Sequence, residues 1–327
     1  MLLAFVEDGD NSSQLVLDWL NCLDSNFKIV ILKEGEVLDT LSIELSSNYV
    51  SLEELLGYKL SEFRFYYYRR GKFGSYFGDV ISLFNETAVA WFRKEENRIF
   101  EYLEKRFLGR CNLGSYTKEI STNKLFNLKS AVDSGFKIPS SLVTSSKKKL
   151  LEFSSRTFNY LIVKPISDHK PLATKDDICF IPCGTQIIGK GAIENLQDHF
   201  VPCLFQEYII KKYEIRIFYI YDKLYPMAIF SQNNEKTKVD FRNYDKEVPN
   251  RCVPFKLNAT IEENVKKFIN ISGYNTGSID LLYGEDGNYY FLEINHCGIY
   301  EWLSENCNYY IDMEIANQIY EKSRSQN

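Results

Sequence analysis

Hydrophobic and polar positions along this chain follow two periods. Leu2–Val6 and Lys28–Leu32 are short continuous apolar runs, the pattern of buried parallel strands. Between them, Ser12–Asp24 places Leu15, Leu17, Leu20 and Leu23 at roughly helical spacing. Strand–helix–strand order predicts an α/β layer. Phe63–Arg70 (FRFYYYRR) is dense in β-formers, and Thr87–Leu108 is long, charged and helix-compatible. Asn123–Ser134 reads as a helix stopped by Gly135, and Ser141–Thr144 is extended after Ile138–Pro139. The basic run Lys147–Lys149 reads as a solvated face. From Tyr160 onward strands dominate: Tyr160–Lys164, Ile178–Pro182, Cys203–Ile210, Glu214–Tyr221 and Leu224–Phe230, with Asp222–Lys223 as a hairpin turn. Ile261–Ser272 and Tyr309–Lys322 read as helices. The chain has no internal repeat and no low-complexity linker.

The richest stretch is Gly277–Asn295, GSIDLLYGEDGNYYFLEIN. Two β-rich runs flank Asp286–Gly287, a strong two-residue hairpin signal. That turn sets Asp280 opposite Glu293 and Ser278 opposite Asn295. Side chains two apart on a strand share a face, so Asp280, Glu293 and Asn295 line one surface, with Leu281, Leu292 and Ile294 on the other. Carboxylates directly across a ladder have Cβ atoms about 5 Å apart. At an effective dielectric near 20, they repel by roughly 3 kcal/mol. Protonation offsets this in one way; a hard cation held by two carboxylates and an amide oxygen offsets it better, and that donor set suits Mg²⁺. A solvated face with splayed carboxylates is the plainer alternative, and a longer loop would change the pairing. Other polar residues alternate similarly. Glu214 and Arg216 share a strand face with Phe218 beyond them, Lys238, Asp240 and Arg242 share one in KVDFRN, and Lys164 ends an apolar strand before Pro165. Each alone reads as a strand-edge charge. Together they set cations near two acids, as triphosphate chemistry with Mg²⁺ requires.

The chain has 327 residues, 45% hydrophobic and 25% charged, an ordinary folded composition with room for about two domains. No apolar run approaches the ~18 residues of a membrane span. MLLAFVEDGD turns acidic after six residues, has no basic flank, and reads as a first buried strand, not a signal peptide. A net charge of −5 argues against a general nucleic-acid binder. The eight cysteines form no CxxC pair and no zinc spacing. They read as reduced thiols of a cytoplasmic protein.

In this order the residues resemble an ATP-grasp ligase, and specifically the RimK-like graspetide synthetases of the grasp-with-spasm type of peptide maturase. The segments that carry the likeness are YYYRRG (66–71), NKLFNLKSAVDSGFKIPSSLVTS (123–145), LFQEYIIKKYEIRIFYI (204–220), MAIFSQNNEKTKVDFRNYDKEVPNRCVPFKL (227–257), GSIDLLYGEDGNYYFLEINHCG (277–298) and NCNYYIDMEIA (306–316). The resemblance implies an α/β (α+β) ATP-grasp fold. An N-terminal pre-ATP-grasp domain would span 1–115, a central subdomain 116–203, and a C-terminal subdomain with the Mg site 204–327. It implies that Lys124 and Lys164 contact ATP phosphates. Gln206, Glu207, Tyr208 and Ile209 would form the adenine hinge, with backbone groups of Glu207 and Ile209 reading the base, and Glu214 would hold the ribose. Arg216 and Arg242 would stabilise the transferring phosphoryl group. Asp280, Glu293 and Asn295 would hold Mg²⁺, with two ions expected. Tyr68, Arg69 and Arg70 would lie near the bound peptide.

The implied reaction converts an Asp or Glu side chain of a ribosomal precursor peptide, with a leader and an acidic core, into an acyl phosphate. A Thr, Ser or Lys side chain of the same peptide then attacks, giving an ester or amide macrocycle. A cytoplasmic homodimer, with no nucleic-acid or membrane partner, is expected. A RimK-type ligase that adds a free amino acid to a protein or small carboxylate keeps the same ATP site, and a catalytically dead binding module is a third reading. The chain departs from the family at Asn295–His296–Cys297–Gly298, where a proline usually follows the asparagine. Adjacent residues on an extended strand point apart, so His296 and Cys297 are not expected to form a catalytic pair. Cys183–Gly184–Thr185 and Gly189–Lys190–Gly191 are candidates for a lid, or ordinary loops.

Overall fold

A computed structural model describes residues 1–33, 41–47, 52–71, 84–108, 111–157, 160–167, 172–173, 179–180, 185–234, 236–241 and 245–325. In chain order, β1 (Leu2–Val6), α1 (Asn11–Leu23) and β2 (Ile29–Lys33) begin the chain. A small antiparallel sheet of β3 (Leu41–Glu44), β4 (Leu52–Leu55) and β5 (Tyr58–Lys59) follows. Next come β6 (Phe65–Arg69), α2 (Glu86–Leu108), β7 (Cys111–Leu113), α3 (Tyr116–Ile120) and α4 (Lys124–Asp133). Strands β2-β1-β6-β7 form one parallel sheet. Every residue of β1 is buried, because helices cover both faces of this sheet. Leu2, Ala4 and Val6 point to the core that contains α1; Leu3 and Phe5 point to the one that contains α2.

The chain continues with β8 (Ser141–Ser146), α5 (Lys147–Ser154), β9 (Tyr160–Lys164), β10 (Leu172–Ala173), β11 (Cys179–Phe180), β12 (Gln186–Gly189), α6 (Lys190–Glu194) and β13 (His199–Glu207). Strands β12-β9-β13-β8 form an antiparallel sheet, with Leu150 of α5 and Ile193 of α6 packed on Leu161 and Phe205. The last part comprises β14 (Lys211–Ile220), β15 (Lys223–Phe230), β16 (Arg251–Pro254), α7 (Ala259–Ser272), β17 (Thr276–Gly284), β18 (Tyr289–Asn295), α8 (Glu301–Cys307) and α9 (Ile311–Arg324). Its five strands run β16-β15-β14-β17-β18. One face of this sheet (Ile215, Ile217, Tyr219, Ile279, Leu281) packs under α4 and α7. On the other face, Phe218, Ile220, Met227 and Ile229 join a core shared with α1, α9 and the parallel sheet. Among the described residues no helix is long and apolar enough to cross a membrane, and Cys22, Cys111, Cys203, Cys252, Cys297 and Cys307 are free thiols.

The mixed α/β class and most elements match the sequence pattern to within a few residues. Two readings change. The turn between β14 and β15 is Tyr221–Asp222, not Asp222–Lys223: Lys223 already pairs with Ile220, and Tyr221 takes the left-handed φ of 53° that the turn demands. Lys238 and Asp240 do not alternate on a strand. The described residues between Ser231 and Phe241 form turns and bends. There the Asn234 side chain accepts from the Lys236 N–H, and Thr237 bonds Ser231 and Asn250, local bonds that compete with a ladder. Arg242, with Cys183 and Gly184 of one lid candidate, lies outside the described residues. The other candidate, Gly189–Gly191, is the junction of β12 and α6.

Candidate active site

The hairpin of β17 and β18 sets the central carboxylates. Asp280 pairs with Glu293 and Ser278 with Asn295, as the sequence pattern requires, but by a different route. The loop has three residues, Glu285–Gly287, closed by the Gly284 N–H to the Asn288 carbonyl at 2.9 Å. Gly287 is left-handed (φ 80°), as in a turn followed by a G1 bulge. Near the loop, Leu281 pairs with Phe291; a bulge in β18 then restores the register before Glu293. The same bulge puts Phe291, with Ile294, in the core against Leu281.

Arg216 completes the row. It pairs with Asp280 across β14 and β17, and its Nη1 donates to Asp280 Oδ1 at 3.0 Å and Oδ2 at 3.1 Å. Both residues are buried, at 7% and 6% exposure. The cation that offsets the carboxylate repulsion here is therefore a guanidinium on the neighbouring strand, a route the sequence pattern does not reveal. Arg216 Nε is buried with no hydrogen-bond partner, and its guanidinium lies 5.9 Å from the Trp302 ring. Asn295 is exposed and its Oδ1 accepts from the Cys297 N–H at 3.1 Å. Two opposed carboxylates and an amide oxygen at one strand end are a donor set that fits Mg²⁺.

The apolar face of the sheet turns polar where Phe218 gives way to Arg216 and Glu214. Glu214 is buried; Lys211 Nζ reaches its Oε1 at 2.5 Å and Ser231 Oγ donates to its Oε2 at 2.7 Å. Burial pushes the Glu214 carboxyl up, and the Lys211 and Ser231 bonds oppose that rise. Lys211 escaped the sequence reading because a β-bulge lies between it and Tyr213. The bulge lets a residue three before Glu214 reach its carboxylate. Its other bond, to the Val239 carbonyl at 3.1 Å, ties this edge to the following turn segment.

The remaining candidates lie around the join of the two antiparallel sheets. Tyr208 and Ile209 sit in the link from β13 to β14, where the chain passes from one sheet to the other. Glu207 ends β13, and its N–H donates to the Ser140 carbonyl. The Gln206 side chain is held inside the sheet on Ser141 Oγ at 3.0 Å. Lys164 is the last residue of β9. Lys124, the first residue of α4, reaches over that strand end, its Nζ 3.3 Å from the Pro165 carbonyl. The two lysines expected on phosphate thus come from neighbouring positions.

Tyr68, Arg69 and Arg70 end β6 and its outgoing turn. Tyr68 donates to Glu119 at 2.6 Å. Arg69 and Arg70 reach the backbone of the loop after Asn295 and line a cleft of about 270 Å³ with Glu7, Asp8, Asp10 and Glu301.

His296 and Cys297 part company as expected. His296 is buried against Tyr274, ring centroids 3.6 Å apart, with Nε2 2.8 Å from Thr122 Oγ1. Burial, with Lys118 nearby, lowers its pKa from 6.5 to about 4. A lowered histidine pKa means stability that is full above pH 6.5 and lost as pH falls toward 4. The linkage amounts to about 3 kcal/mol. Urea unfolding at pH 7 and pH 4 is expected to show this loss in the wild type and a smaller one in His296→Gln. Cys297 lies in the other core, among Tyr66, Tyr68 and Phe100, and burial pushes its thiol up to about 12. Iodoacetamide at pH 8 is therefore expected to label exposed Cys22 readily and leave Cys297 unmodified in the folded protein. Rapid labelling of Cys297 would contradict its burial.

The sequence matches no protein-family model and no curated protein. Solved structures do match. A Chryseobacterium gregarium RiPP-associated ATP-grasp ligase, in complex with ADP and a leader and core peptide, superposes with a TM-score of 0.80 at 23% identity, over 98% of this chain and 96% of that one. The macrocyclase MdnC of Microcystis aeruginosa MRC, bound with precursor peptide MdnA, gives 0.77 at 22% identity, over 98% and 99%. The ATP-grasp ligase PsnB, complexed with minimal precursor, Mg and ADP, gives 0.75 at 15% identity, over 99% and 97%. The chain has the ATP-grasp fold.

Proposed function

We propose that this protein is an ATP-dependent peptide macrocyclase, a graspetide synthetase. It activates Asp or Glu side chains of a ribosomal precursor peptide as acyl phosphates and joins them to Thr, Ser or Lys side chains. The observation that supports this most is the Arg216–Asp280–Glu293 row across three adjacent strands, with one buried guanidinium donor unmet. Such a donor asks for an acceptor, and a phosphoryl or acyl-phosphate oxygen is one. The solved neighbours, one bound to ADP with a leader and core peptide and one to a precursor peptide, support this choice of substrate class.

In this reading 116–203 and 204–327 are the two halves that hold nucleotide, and 1–115 precedes them. Lys124 and Lys164 neutralise phosphate oxygens from the β9 end. Glu207–Ile209 face the adenine, and Glu214 meets the ribose by exchanging one of its present partners, Lys211 or Ser231. Asp280, Glu293 and Asn295 hold Mg²⁺, which when bound supplies charge neutralisation on the phosphate oxygens. Arg216, and Arg242 with it, stabilise charge on the transferring group. The protein's further tasks are to align carboxylate and nucleophile and to exclude water from the activated acyl group. The reaction is placed in the cytoplasm, where ATP and ribosomal peptide meet.

The test is purified protein with ATP, Mg²⁺ and an acidic precursor peptide, with no amino acid added. Stoichiometric ADP and a cross-linked peptide are expected. Turnover that appears only on adding a free amino acid would move the assignment to a RimK-type carboxylate–amine ligase.

A further inference from the structure

The loop that follows Asn295 is held by residues from the other end of the fold. Arg69 is 7% exposed and carried by the last residue of β6. Its Nη1 donates to the Gly298 carbonyl at 3.1 Å and its Nη2 to Ser12 Oγ at 3.2 Å. Its Nε lies 3.6 Å from Asp10, and its guanidinium lies over the Tyr300 ring at 5.1 Å. Arg70 adopts a left-handed φ of 74°, which turns its side chain the same way. Its Nη2 donates to the Cys297 carbonyl at 3.2 Å, with Glu7 at 3.5 Å and Glu119 at 3.7 Å flanking it. Two consecutive carbonyls of one loop are thus each fixed by a guanidinium that is itself fixed by carboxylates.

From the opposite side, Gly298 packs on Ser278. An added Cβ would stand 2.1 Å from Ser278 Oγ, so only glycine fits. Cys297, between these anchors, donates its N–H to Asn295 Oδ1. The loop geometry therefore sets the direction of the Asn295 amide. Ser278 is also Asn295's partner in the ladder, which closes the frame.

We infer that Arg69 and Arg70 are positioning residues that lock the 295–298 loop, so that Asn295 is presented in register with Asp280 and Glu293. The inference rests on the reading of those three residues as the Mg²⁺ site. It assigns the two arginines a task at the metal site rather than on the peptide, although both line the neighbouring cleft. Arginine suits the task because its rigid fork bonds a carbonyl and a second acceptor at once, which lysine's point charge does not.

The experiment titrates Mg²⁺ into full-length protein with ADP present and reads nucleotide binding by calorimetry, without turnover. Arg70→Ala is the principal variant, since the side chain is 34% exposed and its loss does not empty a core. Partners that orient metal ligands typically contribute 10–100-fold in metal affinity, so Arg70→Ala is expected to need about tenfold more Mg²⁺. Its affinity for ADP without Mg²⁺ stays unchanged, and Arg70→Lys recovers part of the loss. Arg69→Lys, where it folds, shifts the midpoint in the same direction. Unchanged Mg²⁺ midpoints in both variants overturn the inference, whether or not the peptide KM rises. A wild type whose ADP binding ignores Mg²⁺ overturns the metal-site reading itself, and is recognised because no variant is needed to see it.

Discussion

Glu293→Gln and Asp280→Asn are each expected to lower turnover by more than about a hundredfold, beyond the range for residues that only orient a metal ligand. Both substitutions keep the side chain's shape, remove one charge and replace one acceptor oxygen with an amide donor. The two carboxylates face each other across β17 and β18, so in the metal-free protein each raises the energy of the other by roughly 3 kcal/mol at an effective dielectric near 20. Glu293→Gln removes that repulsion while leaving the Arg216–Asp280 pair intact. Its urea midpoint without Mg²⁺ is therefore expected to equal or exceed the wild type's. A variant that keeps near-wild-type ligation at ordinary Mg²⁺ would remove its residue from the metal site.

Arg216→Met should have the largest effect on stability. It leaves Asp280 buried, charged and beside Glu293, and breaking a buried pair by removing one partner costs about 3–5 kcal/mol. Arg216→Met/Asp280→Asn removes the stranded charge and is expected to recover much of the loss, while turnover stays absent. Urea unfolding of the four proteins gives the coupling energy of the pair directly. Additive effects would mean that the 3.0 and 3.1 Å contacts carry no net energy. In that case the row would not be an electrostatic unit.

These residues differ in how visible they were in the sequence. Asp280 opposite Glu293 was legible because a hairpin has one dominant local signal, Asp286–Gly287. Yet the pairing survived through two irregularities that cancel, a three-residue loop and a bulge in β18. Lys211 was hidden by the same kind of feature: a bulge breaks the two-residue period that pattern reading depends on. Lys238 and Asp240 looked like a strand because charge alternation does not record the side-chain-to-backbone bonds of Asn234 and Thr237. The Arg216–Asp280 contact depends on which strands become neighbours, which the strand runs alone leave undetermined. Arg69 and Arg70 stood out by composition, but the loop carbonyls they bond, Gly298 and Cys297, lie more than two hundred residues away. Only the folded chain brings them to the loop after Asn295.

The measurement that tests the central claim most directly is the intact mass of a precursor peptide co-expressed with this protein. The short acidic reading frame nearest its gene is the first peptide to try. Successive losses of one water, retained when a protease cuts between donor and acceptor residues, are the predicted result. Hydroxide treatment would then separate ester from amide links. An unchanged peptide mass, with folded protein, ATP and Mg²⁺ all present, would contradict macrocyclisation.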